Sequence, residues 1–285
     1  MIQHFRFGSP IRTDSVVQDI PVSSDAVPFL TADADGWVYT MAPDAIVYGL
    51  GEMPRGINKR GWHYVANNTD ESHHGENKVS YYGAHNFLLI DGGPGGDLFG
   101  VFVDFPGKVH YDIGYTVHDT LRFATEEPDY ELYILTGADL NDIAHQFRQL
   151  IGRSYIPPKW AFGLQQSRWG YKTAEDVREV ARQYKENDLP LDMICMDIDY
   201  MQDYADFTIN KERFPDLAAL AAELKAQGIR LVPIIDAGVR IDPEEPTCTE
   251  GLEKGYFCKK EDGTPFVAAV WPGKAYFADF LRPEG

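Results

Sequence analysis

The first 135 residues or so alternate short apolar runs with turn-forming residues. The runs are rich in β-branched and aromatic side chains, and Gly, Pro, Asn and Asp separate them, which is typical of strands joined by turns. So many short strands in succession predict a β-sandwich. The predicted strands are Trp37–Met41, Ala45–Leu50, Trp62–Ala66, Phe87–Ile90, Phe99–Phe105, Val109–Ile113, Thr120–Ala124 and Tyr130–Leu135.

The period of the pattern then changes to that of a helix. Apolar residues between Leu140 and Ile151 recur at helical spacing, with Asp139 as the predicted N-cap and Gly152 just beyond the C-terminus. Pro157-Pro158 follows and marks a break in secondary structure. We therefore expect two domains, a sandwich with its connecting helix over residues 1–152 and a second domain over residues 153–285.

The second domain alternates predicted strands and helices. Trp160–Gln166, Leu191–Ile198 and Ile229–Ile235 are the predicted strands. One predicted helix begins after Thr173, where Asp176 completes a capping-box pattern, and another runs from about Pro215 to Gln227. This order is typical of a parallel β/α barrel. The fold class is therefore α/β plus all-β, with the first three β/α units of an incomplete (β/α)8 barrel.

The composition of the chain indicates which partners and which cellular compartment to expect. The chain has 285 residues, 44% of them hydrophobic, a formal net charge of -18 and a pI near 4.7. Such an acidic protein does not suit nucleic-acid phosphates or anionic membranes, so we expect neither as a partner. Three cysteines without paired spacing and an N-terminus without an apolar signal core indicate a cytoplasmic protein.

Carboxylates and tryptophans gather where the predicted barrel strands end. Asp197 and Asp199 end the second strand, Asp236 follows the third, and Trp169 and Trp271 lie in neighbouring loops. The carboxyl ends of parallel strands are where such folds bind ligands. Carboxylates accept hydrogen bonds from sugar hydroxyls, and aromatic rings stack on the C–H faces of a pyranose. The pattern therefore predicts a carbohydrate site.

Asp197 and Asp199 are also a candidate catalytic pair. They stand at positions i and i+2 at the end of a strand, so their side chains share one face, and the strand rise separates them by about 6.7 Å. Retaining glycosidases need roughly 5–5.5 Å between their carboxyl groups, whereas inverting enzymes need more, so spacing alone leaves an inverting pair open. A chitinase-type Asp-x-Asp-x-Glu site is excluded, because Met201 stands where the Glu would be.

The wider set of motifs resembles glycoside hydrolase family 31, and within it the bacterial α-glucosidases. In the second domain the motifs are Ser154-Tyr155-Ile156-Pro157-Pro158-Lys159-Trp160-Ala161-Phe162-Gly163, Gln166-Ser167-Arg168-Trp169, Met196-Asp197-Ile198-Asp199-Tyr200-Met201, Asp206-Phe207-Thr208, Ile234-Ile235-Asp236 and Val270-Trp271-Pro272-Gly273. Tyr48-Gly49-Leu50-Gly51-Glu52 and Tyr82-Gly83-Ala84-His85-Asn86-Phe87 resemble the family's N-terminal sandwich.

The resemblance implies retaining hydrolysis of α-glucosidic bonds in short oligosaccharides, with an α-glucoside or glucose as ligand. By matching, Asp197 is a residue of subsite -1 that accepts hydrogen bonds from glucose hydroxyls. The resemblance also places in the pocket Trp169, Ile198, Ile234, Asp236, Trp271 and, from a sandwich loop, Asp70. It leaves the role of Asp199 open.

One part of the family pattern has no counterpart in this sequence. The family's nucleophile lies in a Trp-x-Asp-Met-Asn-Glu-Pro-like segment on the fourth barrel strand, with the acid/base after it, and no such segment occurs. We therefore expect an N-terminal portion of an α-glucosidase that carries the sugar-binding half and no catalytic carboxylate. The alternative is a catalytically silent carbohydrate-binding module.

Two further expectations concern cofactors and partners. His73-His74-Gly75-Glu76 lacks the helical i, i+4 spacing of a zinc site, and no Rossmann or P-loop pattern occurs, so we expect no metal or cofactor. Three strands cannot close a barrel, which leaves an open sheet edge. We therefore expect an oligomer or a complementing chain at that edge.

Overall fold

The computed structural model describes residues 1–236 and 238–283. The chain divides into two compact units, Met1–Tyr155 and Ile156–Gly285.

The first unit is a sandwich of two five-stranded antiparallel sheets. One sheet has the order β1-β10-β7-β6-β4 and the other the order β2-β3-β9-β8-β5. The predicted sandwich is confirmed, and the pattern missed only its two N-terminal strands. The strands are β1 (Ile2–Phe7), β2 (Thr31–Asp33), β3 (Gly36–Thr40), β4 (Ile46–Gly51), β5 (Trp62–Ala66), β6 (Ala84–Asp91), β7 (Leu98–Asp104), β8 (Val109–Ile113), β9 (Thr120–Thr125) and β10 (Tyr130–Thr136).

The core of the sandwich follows from the alternation of side chains along its strands. In β8, Val109, Tyr111 and Ile113 are buried, whereas His110 is exposed. Inward-facing residues of both sheets form one apolar cluster. Period-two alternation is what a strand with one buried face requires.

Helix α1 (Leu140–Leu150) covers the outer face of the first sheet. The backbone N–H of Asp142 donates to the side chain of Asp139 at 2.8 Å, which confirms the predicted N-cap. Phe147 of the helix stacks on Phe87 of the sheet with ring centroids 3.7 Å apart. Strand β7 is therefore buried on both faces and reads as a continuous apolar run.

The second unit opens with three parallel strands and two helices. Their order along the chain is β11 (Gln165–Ser167), α2 (Ala174–Glu186), β12 (Met193–Met196), α3 (Leu217–Ala226) and β13 (Arg230–Pro233). The strands form a sheet of order β11-β12-β13. This is the predicted open, incomplete barrel, with β12 in the middle and two outer strands.

The two helices bury their apolar faces against this sheet. Val177 and Ala181 of α2 and Leu220 and Leu224 of α3 belong to one buried cluster with Ile194 of β12. Thr173 and Asp176 form the predicted capping box at the start of α2. Burial of these apolar side chains stabilises the sheet in the way expected for a β/α unit.

The barrel strands are shorter than the pattern predicted. Residues Lys159–Phe162 form a 3-10 helix rather than the start of the first strand, and β12 ends at Met196. The third strand ends at Pro233. The helix predicted from Pro215 begins at Leu217, because the side chain of Asp216 accepts from the N–H of Ala219 and forms the N-cap.

After β13 the chain forms a small antiparallel sheet that the pattern did not predict. Its elements are β14 (Gly238–Arg240), α4 (Pro246–Lys254), β15 (Val267–Val270) and β16 (Gly273–Phe277). The strand order is β14-β16-β15. Trp271 and Pro272 connect β15 to β16, since Val270 pairs with Gly273.

Candidate functional site

The backbone turns immediately after β12, and this turn determines where the two aspartates point. Asp197 caps a short 3-10 helix, Ile198–Tyr200, and its carboxylate accepts a 2.7 Å hydrogen bond from the N–H of Ile198. Asp199 lies inside the turn. A 3-10 helix rotates successive residues by about 120°, so positions i and i+2 do not share a face as they would on a strand.

The prediction that Asp197 and Asp199 share one strand face is therefore wrong. Asp199 is 3% exposed, and one of its carboxylate oxygens, Oδ2, is buried without a hydrogen-bond partner. The nearest cation is Arg213, with Nη1 4.0 Å from Oδ1 of Asp199. Asp197 instead faces a pocket. The two carboxylates thus have different surroundings, which does not favour their action as an acid/base pair.

A pocket of about 610 Å³ lies at the carboxyl ends of β12 and β13. Five of the seven residues expected at the sugar site line it, together with Tyr204. The five are Trp169, Asp197, Ile198, Ile234 and Trp271. Three aromatic rings and one carboxylate therefore converge on a space large enough for a monosaccharide.

The aromatic residues of the pocket are accessible. Trp169 is 64% exposed and Trp271 is 71% exposed, whereas Ile198 beside them is buried. Exposed indole faces suit the C–H faces of a sugar ring, and the carboxylate of Asp197 supplies a hydrogen-bond acceptor. The arrangement can bind and orient a neutral polyhydroxylated ligand.

Asp236 does not line the pocket directly but lies close to Asp197. Burial raises the pKa of Asp236, and the negative charge of Asp197 raises it further. The Oδ2 atom of Asp236 is buried and has no hydrogen-bond partner. The backbone N–H of Asp236 donates to Oδ1 of Asp206 at 3.1 Å.

Asp206 and Tyr204 are residues of this region to which sequence reasoning assigned no role. Asp206 is 3% exposed. Burial raises its pKa to about 6, and the charge of Asp236 contributes in the same direction. The Asp206-Phe207-Thr208 motif was recognised in the sequence as part of the family pattern. Nothing local to the motif indicates that its loop reaches the backbone of Asp236.

Asp70 belongs to the first unit, in the loop after β5. A hydrogen bond with Asp70 raises the pKa of the Tyr82 phenol. In the same loop, Oδ1 of Asn68 accepts a 2.8 Å hydrogen bond from the N–H of Ala84 at the start of β6. The role of Asp70 at a sugar site stays a prediction.

The described part of the chain was also searched for metal-binding clusters and for membrane-spanning helices. Within residues 1–236 and 238–283, no group of three or more His, Cys, Asp or Glu side chains has the arrangement of a metal site. In the same residues, none of the helices combines the length and the apolar character needed to cross a lipid bilayer.

Comparison with protein families matches both units. The glycosyl hydrolase 31 N-terminal galactose mutarotase-like domain matches residues 20–112. The glycosyl hydrolases family 31 TIM-barrel domain matches residues 154–285.

Two similar proteins of known name are alpha-glucosidases. The chain is 40% identical over 239 residues to alpha-glucosidase 2 of Bacillus thermoamyloliquefaciens, covering 83% of this chain and 30% of that protein. It is 29% identical to an alpha-glucosidase of Saccharolobus solfataricus, covering 84% of this chain and 34% of that protein. The chain thus spans about a third of the length of these curated relatives.

A solved structure shares the fold. A Flavobacterium johnsoniae family 31 dextranase in complex with isomaltotriose superposes with a TM-score of 0.78 at 25% identity. The match covers 91% of this chain and 32% of the dextranase.

Proposed function

Because this chain belongs to glycoside hydrolase family 31, we propose that it is the sugar-binding portion of a retaining α-glucosidase acting on short oligosaccharides. In this proposal the pocket binds the glucose unit at subsite -1. The supporting observation is the convergence of the Asp197 carboxylate with the exposed rings of Trp169 and Trp271. The relatives that are alpha-glucosidases support the choice of an α-glucoside as ligand.

Asp197 is proposed to accept hydrogen bonds from glucose hydroxyls, and the two tryptophans to contact the sugar ring. Ile198 and Ile234 supply the apolar part of the wall, which limits the ways the ring can turn. Asp236 is proposed to bind sugar next to Asp197. We assign no catalytic carboxylate to this chain, since Asp199 is buried away from the pocket lining.

Binding of glucose to the 285-residue chain tests the assignment. We expect glucose to shift the amide NMR signals of the pocket segments and Asp197→Ala to weaken its affinity at least tenfold, because a carboxylate–hydroxyl hydrogen bond is lost. Asp203→Asn is the matched control, since Asp203 is an exposed aspartate of the next loop. Equal affinities for wild type and Asp197→Ala would contradict the proposed role of Asp197.

Hydrolysis of p-nitrophenyl α-glucoside tests the second half of the proposal. We expect no turnover by this chain, because the pocket contributes binding groups and no acid/base pair. Turnover that survives removal of contaminating enzymes and is abolished by Asp199→Asn would mean that Asp197 and Asp199 act as a catalytic pair after all.

The open edge of the three-stranded sheet is the proposed site of a protein partner. Within the described residues, strand β13 is an outer strand that pairs with β12 alone. The N–H groups of Arg230 and Ile234 bond towards β12, so the N–H of Leu231 faces the open side, whereas Pro233 has no N–H to offer there. We propose that a second copy or a complementing chain pairs there.

A further inference from the structure

Two residues of the proposed sugar site, Ile234 and Asp236, lie just beyond the end of a strand. Strand β13 ends at Pro233, so the next three residues have no regular ladder of hydrogen bonds. A segment of this kind needs other partners if it is to hold a side chain in one place.

Buried polar groups supply those partners. The N–H of Ile234 donates to the carbonyl of Met196 at 3.0 Å, and the hydroxyl of Tyr200 donates to the carbonyl of Ile234 at 2.8 Å. The N–H of Asp236 donates to Oδ1 of Asp206 at 3.1 Å. All three partners come from the end of β12 or the loop that follows it.

The loop that carries Asp206 has an unusual backbone. Asp203, Tyr204 and Phe207 have φ angles of 49°, 61° and 64°, the left-handed region that favours glycine. Each such residue costs free energy and persists only where its surroundings hold it. The Thr208 hydroxyl contributes by donating to the carbonyl of Ala205 at 2.6 Å and accepting from the N–H of Gln202 at 2.9 Å.

This conformation sends neighbouring side chains in different directions. Tyr204 lines the pocket, Phe207 is 65% exposed, and Asp206 between them is 3% exposed. An aspartate is rarely buried so completely unless its acceptor capacity is used. Here its bonded partner is the backbone of Asp236, while its Oδ2 atom has no hydrogen-bond partner.

We propose that Asp206 is a positioning residue, which fixes the Asp236 carboxylate beside Asp197 by accepting the backbone N–H of Asp236. This inference rests on the proposed function for its consequence in sugar binding. Asp206 itself does not line the pocket, so it acts through Asp236 rather than by touching the ligand.

The charged and titratable groups around Asp206 bear on its ionisation. Burial raises the pKa of Asp206, Asp236 and Tyr200. Negative charge adds to this, from Asp236 on Asp206, from Asp197 on Asp236, and from Asp206 and Asp236 on Tyr200. The nearby arginines donate to backbone carbonyls of this region and not to the carboxylate of Asp206. Arg213 donates to the carbonyl of Asp199, and Arg240 to the carbonyl of Asp203.

The test compares three variants of the 285-residue chain by NMR and by glucose titration. Asp206→Asn keeps an oxygen that can accept the Asp236 N–H, so we expect glucose affinity within about threefold of wild type. Asp206→Ala loses the acceptor, and we expect about tenfold weaker binding. Asp203→Asn, in the same loop but exposed, serves as the control and is expected to leave affinity unchanged.

A second measurement needs neither a folded Asp206→Ala variant nor a sugar. The Asp236 amide proton of wild type should show a titration step with a midpoint near pH 6, the pKa of its acceptor. This step should be lost in Asp206→Asn, whereas a step caused by the carboxyl of Asp236 itself should remain. An Asp236 amide that titrates identically in both proteins would overturn the proposal. If the amide is coupled to Asp206 but wild type does not bind glucose, the positioning holds and the proposed function fails.

Discussion

The hydroxyl of Tyr200 donates a 2.8 Å hydrogen bond to the carbonyl of Ile234, 34 residues further along the chain. Tyr200 is 5% exposed and belongs to the 3-10 turn that follows the middle barrel strand. Ile234 is the first residue after the third strand. This bond therefore joins the ends of two neighbouring strands at the edge of the sheet where the pocket lies.

Replacement of Tyr200 by Phe should destabilise the protein. The change leaves the Ile234 carbonyl without its partner while keeping the ring, so we expect the free energy of unfolding to fall by about 1 kcal/mol. Urea denaturation monitored by circular dichroism measures this. Tyr155→Phe is the control, because Tyr155 is 82% exposed, and an equal loss in both variants would contradict the role of the bond.

The raised pKa of Asp206 should make stability depend on pH in a defined window. Its pKa rises from 3.8 to about 6 on folding, so between these values the folded protein retains a proton that the unfolded chain has released. Unfolding then releases a proton, and stability falls as pH rises from about 4 to about 6. A shift of this size corresponds to a contribution on the order of 3 kcal/mol.

Asp206→Asn isolates this contribution from those of other carboxylates. The unfolding free energy of wild type minus that of Asp206→Asn should decrease across the window and be level above it. If the two stability curves run parallel from pH 4 to pH 7, the Asp206 carboxyl does not titrate as its burial requires.

The capping box of α2 should contribute measurably to stability. Oγ1 of Thr173 accepts from the N–H of Asp176 at 3.2 Å, and the Asp176 carboxylate accepts from the N–H of Thr173 at 2.8 Å. Thr173→Ala should lower the midpoint of urea denaturation, with a loss of about 1 kcal/mol. Thr173→Ser retains the hydroxyl, and a loss as large as that of alanine would show that the cap is not the cause.

Removal of an indole from the pocket should weaken sugar binding. For Trp271→Ala we expect a loss of about 1 kcal/mol, which is roughly a fivefold increase in the glucose dissociation constant. Calorimetry or tryptophan fluorescence measures this. Trp62→Ala is the control, because Trp62 is also exposed but belongs to the first unit, and it should leave affinity unchanged.

Sedimentation velocity tests the open sheet edge. We expect the sedimentation coefficient to rise with protein concentration, and Val232→Lys on β13 to reduce this association, since charges on edge strands oppose pairing. Val117→Lys, at an exposed position in the first unit, should not. A compact monomer at every concentration would refute pairing of copies through this edge.

Local patterns in the sequence determined most of the elements. Alternation along β8 and the change to helical spacing at Leu140 depend on residues a few positions apart, so they can be read without the fold. The caps at Asp139 and Thr173 are local for the same reason. The ends of strands were harder to predict from the sequence, because β12 ends where its pairing with the neighbouring strands ends and not where its apolar residues end.

Some features of the candidate site could also be predicted from the sequence, and others could not. The sequence by itself indicated that Trp169, Asp197 and Trp271 lie together, because residues at the carboxyl ends of parallel strands gather at one edge of a sheet. Ile198 and Ile234 were expected there from the family resemblance, and Tyr204 was not expected. The sequence did not show that the Asp199 side chain is buried, or that Asp206 accepts a hydrogen bond from the backbone N–H of Asp236, thirty residues away. Only the tertiary structure decided these, since the first depends on the 3-10 turn after β12 and the second on how the loop of Asp206 packs against the segment that follows β13.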